Sequence, residues 1–337
     1  MTGPALPSRR HVLAGGAAAG GVALAGCGGL DRSLLRAADA QPDGYPTVEA
    51  VREMGRLLAE RTGGRLRIKV YAGGQLGNEK DTLEITLFGG LDLNRVSIAP
   101  LGSIVPEAVV PTLPFLFRST AHMRAALDGA PGDAILAALE PHKLVGLCFY
   151  DAGARSFYTS KRPVHGPDDL RGQKIRVLNS DLFVSMIEAF GGNATPMAFS
   201  EVYQGLMQGV VDGAENNPPS YESTRHFEVA PYYSLTEHVM APEVLVMSLR
   251  TWRTLSEADQ ALVRQCARDS VPVMRRIWDA RTDSAMAKLI EQGVEIIRPD
   301  RAPFAAKVKP VWDRYLSTLQ LRALATAIEN VEAADDA

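Results

Sequence analysis

Arg176 stands in the run Lys174-Ile175-Arg176-Val177-Leu178, whose alternation puts Ile175 and Val177 on one face of a strand and Arg176 on the other. A guanidinium is a planar fork of donors that matches a carboxylate, and the pair is strong in a dry cleft. An arginine on a solvated strand face has the same local pattern. Arg155, in Gly153-Ala154-Arg155-Ser156-Phe157-Tyr158, is a second such cation, with a structural ion pair as its other reading. Asn216 and Asn217 precede Pro218. Their amides both donate and accept, which suits hydroxyls or a carboxylate, although turn chemistry before a proline accounts for one of them equally well. Glu79, just after Gly77, fits either a sugar-hydroxyl acceptor or a first-turn charge on a helix dipole. Asn94, beside Arg95, breaks an apolar strand pattern at what reads as its C-terminal end, where α/β clefts form. His122 and His238 read as satisfied structural histidines. Tyr158 and Tyr203 fit the core or a rim as well as a cover over a ligand.

None of these residues composes a known catalytic arrangement. The sequence has no GxSxG, HExxH, CxxC or GxxxxGK[ST] motif, and no GxGxxG opening a helix after a strand. Asp168-Asp169 lies in a turn with no nucleophile or histidine at a telling spacing. No cofactor or metal is therefore expected. A carboxylate beside an arginine keeps an exported lyase-type enzyme as an alternative. The net charge of −3 argues against a nucleic-acid partner, which favours a basic face. An anionic ligand would need locally placed arginines, because the overall field does not attract it.

The elements that must position these residues alternate short apolar strands with amphipathic helices, the α/β pattern. Strands are expected at 34–38, 66–71, 93–98, 143–150, 155–159, 174–178, 211–216 and 244–249. Helices are expected at 46–60, from Asn78 to Gly89-Gly90, at 120–127 behind a Ser119 cap, to Phe190 behind a Ser180 cap, and to Gln208 behind a Ser200 cap. Residues 257–292 contain no glycine and one proline, Pro272, and predict one long helix kinked there. Such a helix is too long for one domain and should tie two lobes together.

A length of 337 residues fits two domains. No linker separates them, so the chain should cross between lobes near residues 150, 240 and 278. That gives one lobe from 33–152 plus about 240–278, and a second from 153–239 plus about 279–330. Before them, Arg9-Arg10 and the apolar run to Gly26 resemble a twin-arginine signal over residues 1–26. Leu24-Ala25-Gly26-Cys27 resembles a lipoprotein box, with cleavage after Ala25 as the alternative. Cys148 and Cys266 read as two buried thiols.

Several segments resemble the DctP family of solute-binding subunits of TRAP transporters. They are Gly73-Gly74-Gln75-Leu76-Gly77, Leu113-Pro114-Phe115-Leu116-Phe117, Asp169-Leu170-Arg171-Gly172-Gln173-Lys174-Ile175-Arg176-Val177, Ala194-Thr195-Pro196-Met197, Glu201-Val202-Tyr203, and Gly209-Val210-Val211-Asp212-Gly213-Ala214-Glu215-Asn216-Asn217. The resemblance implies a two-lobe periplasmic-binding-protein-like α/β fold with a central ligand cleft and a helix spanning both lobes. It implies no enzymatic activity, a small organic acid as ligand, and small and large membrane subunits as partners. The protein would act as a monomer in the periplasm or on the outer face of the cytoplasmic membrane, lipid-anchored if Cys27 is acylated. Arg176 would clamp the ligand carboxylate, with Arg155 assisting and one asparagine of the Asn216-Asn217 pair adding hydrogen bonds. Asn94, the paired asparagines and Tyr232 to His238 resemble the branch that binds sugar acids such as hexuronates. A C4-dicarboxylate binder, with Arg95 or Arg155 as second anchor, stays open, as does a ligand-sensing partner of a membrane receptor.

Overall fold

The computed structural model describes residues 33–333. The signal-peptide and lipoprotein expectations, on residues 8–27, lie outside them. Eleven strands form two sheets: β1 (Leu34–Asp39), β2 (Arg67–Tyr71), β3 (Leu93–Ser97), β4 (Leu144–Tyr150), β5 (Arg155–Thr159), β6 (Lys174–Val177), β7 (Asn193–Pro196), β8 (Gly213–Asn216), β9 (Tyr232–Val239), β10 (Glu243–Ser248) and β11 (Glu295–Ile297). The first sheet has the order β2-β1-β3-β10-β4, and the second β11-β9-β5-β8-β6-β7. In the first, β1 lies parallel to β2 and β3, while β10 runs antiparallel to β3 and β4. In the second, β5 is antiparallel to both neighbours, and β8, β6 and β7 run parallel.

Both sheets carry helices, as the alternating pattern requires. Pro46–Arg61 opens on Pro46, whose missing N–H costs nothing in a first turn, and buries Val48, Val51, Met54 and Leu58 along one stripe. Asn78 caps Glu79–Leu87 by accepting from the Asp81 N–H, and Ser119 caps Thr120–Asp128 by accepting from the His122 N–H. Two expected caps differ. Ser180 occupies the N-cap of Asp181–Phe190 but makes no capping hydrogen bond. Ser200 lies inside a 3-10 turn, Phe199–Glu201, and the α-helix starts only at Val202. There the Glu201 carboxylate, not the serine, accepts from a free N–H, that of Ala198 at 3.2 Å.

Glu257–Glu291 is one continuous helix with Pro272 inside it. At 35 residues it is about 52 Å long. Its first two-thirds place Val263, Cys266, Met274 and Trp278 in one core with Val48, Leu58 and Leu245 of the first sheet's layer. Its last turns place Leu289 in another core with Tyr158, Tyr221 and Tyr233 of the second. Complete burial of an aliphatic side chain such as Val263, Met274 or Leu289 contributes roughly 1.5–3 kcal/mol, so the helix is anchored apolarly at both ends. Arg281 adds an ion pair to Glu222 on the helix Pro218–Ser223. Cys148 and Cys266 are free and buried. The C-terminal helix Leu319–Glu329 differs from its expected placement with the second lobe. It packs on residues 106–112 and 130–138 of the first, where the Arg118 guanidinium donates to the carbonyls of Glu329 and Val331.

Candidate ligand-binding site

The C-terminal ends of β1, β3 and β6 open onto one cavity of about 270 Å³, at the small end of ligand pockets. Its walls include Ala40 after β1, Pro100 after β3, and Leu178 and Asn179 after β6. The loop Gly73–Gly77 forms another wall, where Gly73 and Gly74 hold φ values of 66° and 69° that other residues seldom adopt. Glu79 and Lys80 line it from the first turn of the next helix, and Arg176, Met197 and Phe199 line it from the second sheet's side.

Arg176 is 1% exposed. Its Nε and Nη2 donate to the Met197 carbonyl at 3.0 and 2.7 Å, and its guanidinium lies over the Phe199 ring. Nη1 has no acceptor among the described residues. Burial without a counter-charge pushes the guanidinium's pKa down, the desolvation exceeding every favourable interaction. A buried cation facing a cavity with one free donor is a site that a carboxylate would complete.

Arg155 behaves differently. It is 3% exposed, and its Nε and Nη2 bind the two Glu215 carboxylate oxygens at 2.5 and 2.8 Å. Nη1 donates to Asn216 Oδ1 at 2.9 Å. Each of its three nitrogens is thus engaged within the second sheet, and Arg155 does not line the cavity. Glu215 is 0% exposed, yet Arg155 and the nearby His238 hold its pKa below the usual carboxylate value against the opposing pull of burial. His238 is buried, stacked on Phe157, and shares a hydrogen bond between its Nδ1 and Thr236 Oγ1. Burial pushes its pKa down. His122 accepts from the Arg118 N–H and bonds the Ile328 carbonyl. Both histidines have the structural roles expected of them.

Asn217 caps the helix Pro218–Ser223 through Oδ1, which accepts from the Ser220 N–H at 2.8 Å. The turn chemistry expected of one of the pair therefore falls to Asn217. Asn216 Oδ1 is occupied by Arg155 and by the Asn217 N–H, leaving its NH2 group to donate. Asn94 is the second residue of β3, not its end, and is buried away from the cavity, its Nδ2 without a partner among the described residues. Arg95, on the opposite face of the strand, does not line the cavity either. It pairs with Asp39, with Glu243 at 2.6 Å and with the cavity-lining Glu79 at 3.1 Å. Burial, and the other carboxylates nearby, push Glu243 up to about 7 despite its pairing with Arg95. Glu79 Oε1 also accepts from the Ser97 N–H. Tyr158 is a buried core residue bonded to His226, and Tyr203 donates to Glu228 at the surface. Neither lines the cavity.

Sequence reasoning missed Glu215, Asp39 and Glu243. A signal for Glu215 existed: a carboxylate inside an entirely buried strand demands a cationic partner.

Residues 37–318 match the family model of bacterial extracellular solute-binding proteins, family 7, known as DctP. The chain belongs to this family. That places it outside the cytoplasmic membrane, and among the described residues no helix is long and apolar enough to cross a membrane. A solute-binding protein of Chromohalobacter salexigens is 42% identical over 86% of this chain and 87% of its own. A TRAP periplasmic solute-binding protein of Bradyrhizobium sp. BTAi1, solved in complex with α/β-D-galacturonate, is 52% identical. It superposes with a TM-score of 0.87 over 88% of this chain and 99% of its own. Another from Pseudomonas putida F1, solved with D-glucuronate, is 40% identical with a TM-score of 0.86 over 89% and 98% of the two chains. The two-lobe α/β expectation therefore holds.

Proposed function

We propose that this binding protein is the solute-receiving subunit of a TRAP-type transporter and captures a hexuronate, galacturonate or glucuronate, without chemical change. The carrying observation is Arg176, a buried guanidinium with an unmet donor in a cavity sized for a small ligand. Arg176 takes the carboxylate and Glu79 accepts from a sugar hydroxyl. Neither Arg155 nor Asn216 lines the cavity; Arg155 holds the Asn216 amide in place within the second sheet. The relatives solved with hexuronates support the ligand class. The C4-dicarboxylate reading is disfavoured because both of its proposed second anchors, Arg95 and Arg155, are already neutralised by internal carboxylates.

A thermal-shift series on the mature protein tests this. At 100 times its dissociation constant a uronate should stabilise the fold by about 2.7 kcal/mol, which raises the melting midpoint by several degrees. No shift with either uronate, alongside a shift with succinate or malate, would reverse the assignment.

Anchoring through an acylated Cys27 completes the proposal. Mass spectrometry of the native N-terminus should find the chain starting at a lipid-modified Cys27. A start at Gly26, with Cys27 unmodified, would refute the anchor and leave export standing.

A further inference from the structure

Two side chains lining the cavity carry opposite unmet charge. One is Arg176, whose guanidinium donates to the Met197 carbonyl and whose Nη1 has no acceptor among the described residues. The other is Glu79, the cavity-lining member of a cluster in which three carboxylates, Asp39, Glu79 and Glu243, surround one guanidinium, Arg95, and leave a formal charge of −2. Asp39 is fully occupied, with Oδ1 on Arg95 and the Gln41 N–H and Oδ2 on Thr47. Glu79 uses Oε1 on Arg95 and on the Ser97 N–H, and its Oε2 has no donor among the described residues.

From this polarity we infer that Glu79 is a specificity-determining residue that admits sugar acids with one carboxylate and rejects the corresponding diacids. The inference rests on the hexuronate reading above. With its carboxylate on Arg176, a uronate presents hydroxyls to the rest of the lining, and a hydroxyl donates to Glu79 Oε2. An aldarate, the hexuronate's six-carbon dicarboxylic counterpart, brings a second carboxylate there. It meets the like charge of a half-buried Glu79, and it offers no proton where Glu79 needs one. Arg95 cannot rescue it, because both of its terminal nitrogens are held by carboxylates. Lys80 is the one other cation lining the cavity, and it is exposed, so its charge is screened by water.

Calorimetry at pH 8, with galacturonate and its diacid galactarate, is the test. The wild-type protein should bind galactarate about 100-fold or more weakly than galacturonate, like-charge juxtaposition being among the costlier mismatches in a binding site. Glu79→Gln keeps the shape and an acceptor for Arg95 but removes the charge. It should narrow that ratio at least about tenfold, chiefly by strengthening galactarate binding. Wild-type binding of the two acids within about threefold would overturn the inference while leaving the uronate assignment intact. Loss of galactarate binding in Lys80→Gln would then make Lys80 the second anchor. No galacturonate binding at all would instead defeat the underlying reading. The wild-type ratio needs no variant, so the inference is exposed to refutation even if Glu79→Gln fails to fold.

Discussion

Arg176→Ala should lose roughly 30-fold to several thousand-fold in uronate affinity, the 2–5 kcal/mol typical of truncating one member of a buried charged pair. The loss should appear mainly as faster release. Arg176→Lys keeps the charge but not the planar fork, and should fall between the two. The ligand-free protein should respond in the opposite sense. Its Arg176 is buried without a counter-charge, so a volume-conserving change to Met should leave the empty protein's melting midpoint unchanged or raise it, while abolishing the ligand-induced rise. Calorimetry with galacturonate or glucuronate, paired with melting curves, reads both effects. Affinity within about threefold of wild type in a folded Arg176→Ala variant would remove Arg176 from the site. A sharp drop in empty-protein stability would mean that the guanidinium holds the fold together and is not waiting for a ligand.

Arg155→Ala should cost the fold about 3–5 kcal/mol, because it strands a buried carboxylate. Glu215 is inaccessible to solvent and takes two of its hydrogen bonds from Arg155. Removing both charges, as in Arg155→Met with Glu215→Met, should recover much of that loss. The sign with pH follows from Glu215. Its folded pKa lies below the ordinary 4.5, so in the wild type the pair contributes fully above about 4.5 and fades as pH falls through the folded value. In Arg155→Ala the stranded carboxyl titrates above 4.5, so the penalty for ionising it grows as pH rises. The stability gap between the two proteins should therefore be wide at pH 7 and narrow near pH 4. Denaturant titrations at the two pH values measure it. A gap under about 1 kcal/mol at pH 7 would show that water reaches the pair.

Much of this was legible locally. β5 falls at Arg155–Thr159 as read, β4 and β6 within one residue, and the long helix within one residue, because apolar alternation and a glycine-free run are local signals. Arg176 emerges from the same alternation together with its motif. What was not legible depends on distance along the chain. Arg95 finds its partners 56 and 148 residues away, and no window of sequence contains them. Asn94 was chosen because polar residues were taken to mark the strand's C-terminal end, but it is the second residue of β3, and its side chain lies on the opposite face from that of Arg95. Arg155 was expected to assist the ligand clamp, with a structural ion pair as its other reading; the ion pair is what the fold shows, and its partner, Glu215, lay in the quoted motif without being recognised as one. The Ser200 cap failed because Ser200 falls inside the 3-10 turn Phe199–Glu201, and the α-helix begins only at Val202.

The position of β10 has a consequence for how the molecule is made. It lies between β3 and β4, pairing with both, yet it follows them in the chain by the whole of β5 to β9. A nascent chain that has completed β4 has two edges of a sheet and nothing to join them. The first lobe cannot close until residue 248 has been synthesised, and its central seam is built from contacts of long sequence separation, which slow folding. During that interval the unpaired edges of β3 and β4 are templates for other strands. β10 is therefore the strand that closes the first sheet, while the second sheet gains its edge strand β11 later still.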